Sequence, residues 1–219
     1  LLKLFYFNNL GQYHKTLRLI EIILFKMQYS VGKYRANRLH SVALHYDGAL
    51  EHLENKLLNY ATYGFKDYWN FTGDFLRCLE GDSHYWASTR YLLWKYENKL
   101  RAEDREPEMT FSEFANLYGS YKLENTLDHW YPKKPDGVEY DQEFKEKYLN
   151  NLGNLVLSTR GRNASDNNDL PSERETHSVL IQRQKLEPFK SNWGGAEIQN
   201  RHHEIVAFAK DYWNPDRLN

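Results

Sequence analysis

Cysteine is nearly missing from this 219-residue chain: Cys78 stands alone, so no intramolecular disulfide can form and a disulfide-stapled scaffold is excluded. Its aromatic, helix-patterned surroundings predict a small buried thiol, and a reducing, cytoplasmic setting is the expectation. A membrane-length apolar run is missing as well. The most hydrophobic stretch, residues 17–29, is interrupted by Arg18, Glu21 and Lys26 and reads as a core helix, so no membrane partner is expected. Nor is there a surplus of charge: 29 Lys and Arg face 30 Asp and Glu, which leaves no global basic footprint and makes any phosphate contact local. The opening Leu-Leu-Lys-Leu-Phe-Tyr has neither an initiator methionine nor a signal-peptide layout, as expected for a piece of a longer protein.

What the chain has in quantity is aromatic surface. Seventeen Tyr, eleven Phe and six Trp offset a mean hydropathy of -0.82, because each ring buries a large area while Tyr and Trp keep a polar handle. A globular chain is therefore expected rather than a disordered one. Between about residues 12 and 117 the apolar positions recur at threes and fours, as in Leu17, Ile20, Leu24 and Met27, and again in Leu50, Leu53, Leu57 and Tyr60. Gly32, Gly64, Gly73 and Gly81 punctuate four or five predicted helices. The clearest is 83–100, with Ser83 or Asp82 as cap and Trp86, Tyr91, Trp94 and Leu100 on its apolar face. Acidic residues 103–108, with Pro107, read as an exposed connection before a short helix at 111–117, and a domain boundary is predicted near residue 120.

Beyond residue 120 the texture changes. An extended run ends at Asp128-His129 and is stopped by Pro132, and a loop follows through Pro135, Asp136 and Gly137. A short helix is predicted over 142–149, then a second strand over 154–158, entered through Gly153 and left through Gly161. Two further helices are predicted, 172–186 and 196–213, the latter with Ile198, Ile205, Phe208 and Tyr212 as its apolar stripe.

Hydrolysing a phosphodiester requires a base to activate water, a cation to stabilise the leaving oxygen, and a frame holding both against one phosphate. Asp128 and His129 stand at the end of the first strand, and Asn163 stands just past the second, where 160–167 can open a helix. The order is strand, strand, helix.

These residues, Leu127-Asp-His-Trp-Tyr-Pro132, then Leu152-Gly-Asn-Leu-Val-Leu-Ser158, then Arg162-Asn163, resemble the HNH or ββα-metal endonucleases. The nearest likeness is to the C-terminal nuclease domain of GmrSD-type modification-dependent restriction enzymes and related phage-defence proteins. The stretch 154–172 is also similar to the HNH domain of RNA-guided CRISPR nucleases. The resemblance covers roughly 121–215. It implies an α+β, mainly α chain: a helical domain over 1–120 followed by an HNH nuclease domain over 121–219 with flanking helices. It also implies a metal-dependent endonuclease of bacterial restriction or anti-phage defence. In that reading His129 activates water, Asp128 and Asn163 bind the metal, and Asn154 braces the loop between the strands. Arg160, Arg162, Lys133, Lys134 and Asn167 are the candidate contacts to nucleic acid. Asn163 stands where many members have a second histidine, and Trp130 and Tyr131 stand where aliphatic residues are usual. Oxygen ligands favour one Mg²⁺ or Mn²⁺ ion over Zn²⁺. The family mechanism implies 5′-phosphate and 3′-hydroxyl products.

The implied substrate is double-stranded DNA. The implied partner is an upstream NTP-binding domain of the same longer protein, since no P-loop or glycine-rich nucleotide motif occurs here. Two rivals stand beside it: a toxin-type RNA nuclease, and a non-catalytic binding module on the same scaffold. His202-His203 carries no metal expectation, because adjacent helical residues face about 100° apart, and both are predicted to face solvent. Trp69, Trp86 and Trp94 are predicted to be core.

Overall fold

The computed structural model describes residues 13–30, 37–65, 71–82, 84, 87–117, 127–135, 137–159, 168–174 and 178–218. It is mostly helical with one two-stranded sheet, an α+β and mainly α chain. Two compact units emerge: residues 1–80 with 210–219, and residues 81–209. The helices at 87–116 pack in the unit that holds the sheet. Among the described residues no helix is long and apolar enough to cross a membrane.

In the first unit, α1 (His14–Tyr29) packs on α3 (Leu50–Tyr63) and α4 (Phe71–Glu80), with α2 (Asn37–Leu44) between α1 and α3 in sequence. The buried face of α1 carries Leu19, Ile22, Ile23 and Met27, while Leu17 and Leu24 of the expected stripe are almost half exposed. Lys26, expected only to interrupt the apolar run, is buried, and its Nζ donates to Ala61 O at 2.8 Å. The α1 register is decided by this bond and by Phe25, whose ring stacks on Trp213 at 3.8 Å. Gly64, at φ 78°, ends α3 with its N–H on Tyr60 O, which suits a residue without Cβ. Gly73, by contrast, lies inside α4 and breaks nothing. Cys78 is half-buried, not fully enclosed.

In the second unit, α5 (Ala87–Glu103) begins later than predicted; Ser83 and Trp86, like Trp69, lie outside the described residues. Trp94 is core: it stacks on Phe114 at 4.8 Å and donates to Met109 O at 3.0 Å. The exposed connection 102–108 leads to α6 (Phe111–Asn116), started by a capping box in which Thr110 and Glu113 satisfy each other's backbone N–H.

Strand β1 (Leu127–His129) pairs antiparallel with β2 (Leu155–Leu157), placing Leu127 opposite Leu157, Asp128 opposite Val156 and His129 opposite Leu155. Every strand residue is buried. Between them, α7 (Gln142–Phe144) continues as a π-helical turn, Lys145–Leu149, and a 3₁₀ turn, Leu152–Asn154, feeds β2.

The predicted helix 172–186 is replaced by a 3₁₀ turn at Pro171–Glu173 and a short α8 (Ile181–Gln184). The reason is tertiary. Glu97 of α5 is fully buried and accepts from the N–H groups of Ile181 and Gln182 at 2.7 and 2.9 Å, so its carboxylate fixes where α8 starts. The last long helix, α9 (Gly195–Tyr212), buries Ile198, Arg201, His202, Ile205, Val206 and Ala209. His202 is therefore not solvent-facing as expected; it lies four residues after Ile198 on the same inward face, and only His203 is exposed.

Candidate active site

Because strand side chains alternate, consecutive Asp128 and His129 leave β1 on opposite faces. His129 is 5% exposed, and its Nε2 lies 3.0 Å from Asn150 Oδ1. A carboxamide oxygen only accepts, so Nε2 carries the proton and Nδ1 the lone pair. Burial pushes the His129 pKa down to about 4; the Asn150 hydrogen bond acts the other way, and the charges of Lys133 and Arg174 lower it further. The ring is accordingly neutral near pH 7.

On the other face, Asp128 Oδ2 accepts from Arg174 Nη1 at 2.6 Å, and Arg183 Nη1 stands 3.5 Å away. Arg174 Nη2 also donates to the backbone O of His129 at 2.9 Å. The two guanidinium groups lie 5.4 and 5.1 Å from the Trp130 ring centroid. Trp130 is fully buried with Val156, Leu186, Trp193 and Ile198. Both arginines are nearly inaccessible, and the Asp128 carboxylate faces both of them.

Asn154 is fully buried and holds the turn after β1 through its side chain. Its Oδ1 accepts from Tyr131 N at 2.8 Å, and its Nδ2 donates to Tyr131 O and Leu149 O, both at 3.0 Å. Its backbone O accepts from Trp130 N at 2.8 Å. The arrangement makes Asn154 a positioning group for the segment following His129.

The loop carrying Asn154 is clamped from behind. Arg201 of α9 donates from Nη1 to Gly153 O and Leu155 O at 2.7 and 2.8 Å. A Cβ built on Gly153 would lie 1.8 Å from Ile198 O, so only glycine permits the helix to come this close.

The β1–β2 pair thus carries Asp128 and His129 on opposite faces, with Asn154 at the entry to β2, and Lys133 and Lys134 are exposed on the turn after β1. Asn163, Arg160, Arg162 and Asn167 lie outside the described residues. The residues that sequence reasoning missed are Asn150, Arg174, Arg183 and Arg201. Asn150 could have been noticed in Asn150-Asn-Leu-Gly-Asn154, whereas nothing local marks the three arginines.

The donor set fits a hard cation in chemistry, being a carboxylate and, outside the described residues, an amide oxygen. Among the described residues, no group of three or more His, Cys, Asp and Glu could hold a metal ion. An incoming ion would compete with Arg174 for Asp128.

Compared with known proteins, the chain matches the family model described as GmrSD restriction endonucleases, C-terminal domain, over residues 69–208. Neither a curated protein nor a solved structure matches it. The matched span holds β1, β2, their connecting turn and most of α9, and it takes in well over half of the sequence. On that match, this chain belongs to the family of GmrSD restriction endonuclease C-terminal domains.

Proposed function

We propose that this chain is the HNH-type nuclease part of a restriction or anti-phage enzyme, hydrolysing phosphodiesters in double-stranded DNA with His129 as general base. The observation that carries the reading is the buried His129 at the end of β1, proton-bearing at Nε2 through Asn150 and followed by a turn fixed by Asn154. A neutral imidazole with its lone pair at Nδ1 can take a proton from attacking water. Asn150 orients that ring, so the transferred proton enters a group whose tautomer is already set.

Asp128 and Asn163 would hold one Mg²⁺ or Mn²⁺ ion, which when bound supplies charge neutralisation at the leaving oxygen. Asn154 positions the segment after His129 and does not touch the reacting atoms. Lys133 and Lys134, with Arg160 and Arg162, supply the positive charge that a DNA backbone requires, and Asn167 is a further candidate contact. The nuclease domain is assigned to 121–219, and an NTP-binding domain of a longer protein is its proposed controller.

Nicking of supercoiled plasmid with Mg²⁺ or Mn²⁺, against EDTA and matched RNA duplex, tests the reading. Cleavage should need the metal, prefer DNA, and fall by about 10²–10⁴-fold in a folded His129→Ala variant. Equal cleavage by that variant removes His129 as the base, and preference for the RNA duplex removes the substrate assignment.

A further inference from the structure

The second unit contains a cavity of about 380 Å³ that the proposed hydrolysis does not use. One wall is a single face of α9, where Glu197, Asn200, Arg201 and Glu204 follow at helical spacing. Facing it are Tyr96 and Leu100 of α5 and Gln182 of α8, with Trp193 and Phe189 supplying aromatic surface. The floor is buried, including Arg201 at 6% exposure and Gln182 at 1%, while Phe189, Asn200, His203 and Glu204 form an exposed rim.

Arg201 sets the chemistry. Its Nη1 is engaged by loop carbonyls, but its buried Nη2 has no hydrogen-bond partner among the described residues, an arrangement that native interiors rarely leave uncompensated. Burial also lowers its pKa to about 10. Four residues earlier, Glu197 uses Oε2 to accept from Gly194 N at 3.1 Å, and Glu204 accepts from Tyr96 OH at 3.4 Å. The Lys185 ammonium at the edge is paired with Asp104 at 2.7 Å.

This pattern selects against simple occupants. An inorganic anion would meet two carboxylates, a cation would meet Arg201, and an apolar chain would leave Arg201 Nη2 unsatisfied. A planar heterocycle offering acceptors on one edge and donors on another, with faces able to stack, satisfies every wall. Guanine does so: O6 and N7 accept from a guanidinium, while N1–H and the N2 amino group donate to a carboxylate. Trp193 and Phe189 provide the stacking surface.

We infer that this cavity is a binding site for a guanine base, with Arg201 and Glu197 reading its two edges and Phe189 and Trp193 packing on the ring. The site is independent of the hydrolytic reading, but not isolated from its frame. Arg201 clamps the 152–155 loop, and Trp193 Nε1 donates to Asn154 Oδ1 at 3.4 Å.

Equilibrium dialysis of the chain against radiolabelled dGMP, with dAMP, dCMP and dTMP as matched phosphate controls, tests the inference. The trinucleotides dTdGdT and dTdAdT, run in parallel, separate a free nucleotide from a base presented on a strand. Expected is one saturable site for dGMP or dTdGdT, favoured over the adenine counterpart by about tenfold or more. Glu197→Gln, which retains an acceptor for Gly194 N, and Phe189→Ser, at an exposed position, should each melt as the parent does and weaken binding by about tenfold. Equal binding of guanine and adenine ligands, no binding of either guanine ligand, or undiminished binding by both variants overturns the assignment.

Discussion

Replacing Gly153 by alanine should unlatch the frame behind the candidate active site. The added Cβ would lie 1.8 Å from Ile198 O, 2.8 Å from Ile198 C and 3.0 Å from His202 N, all backbone atoms of α9 that cannot rotate away. Restoring ordinary contact with that carbonyl requires a separation of about 1.6 Å, and overpacking of this kind costs about 1–3 kcal/mol. The same retreat draws Arg201 from the carbonyls of Gly153 and Leu155, now at 2.7 and 2.8 Å, adding about 1.5–3 kcal/mol for hydrogen bonds to a charged donor. A total near 3–5 kcal/mol corresponds to a fall of about 10 °C in Tm for a chain of this size. Gly195→Ala is the control: its nearest contact is the Tyr148 ring at 2.9 Å, a half-buried side chain that can move, so about 1 kcal/mol or less is expected. Urea denaturation of both variants decides. A Gly153→Ala chain within about 0.5 kcal/mol of the parent, or equal losses in the two variants, would refute the close-approach reasoning.

Other perturbations follow from buried polar groups. Burial lowers the Lys26 pKa from 10.5 to about 8, with Asp216 opposing, so between these values the unfolded chain binds more protons than the folded one. Stability should therefore rise with pH across that window, by up to about 3 kcal/mol relative to Lys26→Met, and denaturant unfolding at pH 8 and pH 10 reads the difference; a pH-independent difference refutes it. Asn154→Ala strands both backbone polar groups of Tyr131 and should cost about 3 kcal/mol by urea denaturation, with Asn154→Asp intermediate because its acceptor survives. Asp128→Ala removes a carboxylate that faces the buried Arg174 and Arg183 and should cost about 3–5 kcal/mol, measured as a Tm loss; a neutral result would mean that Asp128 is not energetically coupled to the two arginines.

Several parts of the site were legible in local pattern. The extended run before Pro132 placed Asp128 and His129 at a strand end, and Gly153-Asn154 announced the entry to the second strand. The turn at Gly64 obeys a rule that acts within four residues. Other features were not legible because their causes are distant in sequence. The helix predicted over 172–186 is shortened by Glu97, which fixes the start of α8 from more than eighty residues away. His202 looked like one of two surface histidines until the inward face of α9 was set by Ile198 and Ile205.

The sequence by itself determined most of the helical segments up to residue 117, the order strand, turn, strand, and the chemical types available at 128, 129 and 154. These follow from periodicity and turn chemistry, which are local. Only the tertiary structure decided which groups are charged, paired or neutral. His129 is neutral because burial excludes water, Asp128 is held because Arg174 and Arg183 reach it from residues 46 and 55 positions later, and Asn154 is held in place because Arg201 of α9 clamps its loop. Solvation and hydrogen bonding depend on distance in space, and no separation along the chain encodes that distance.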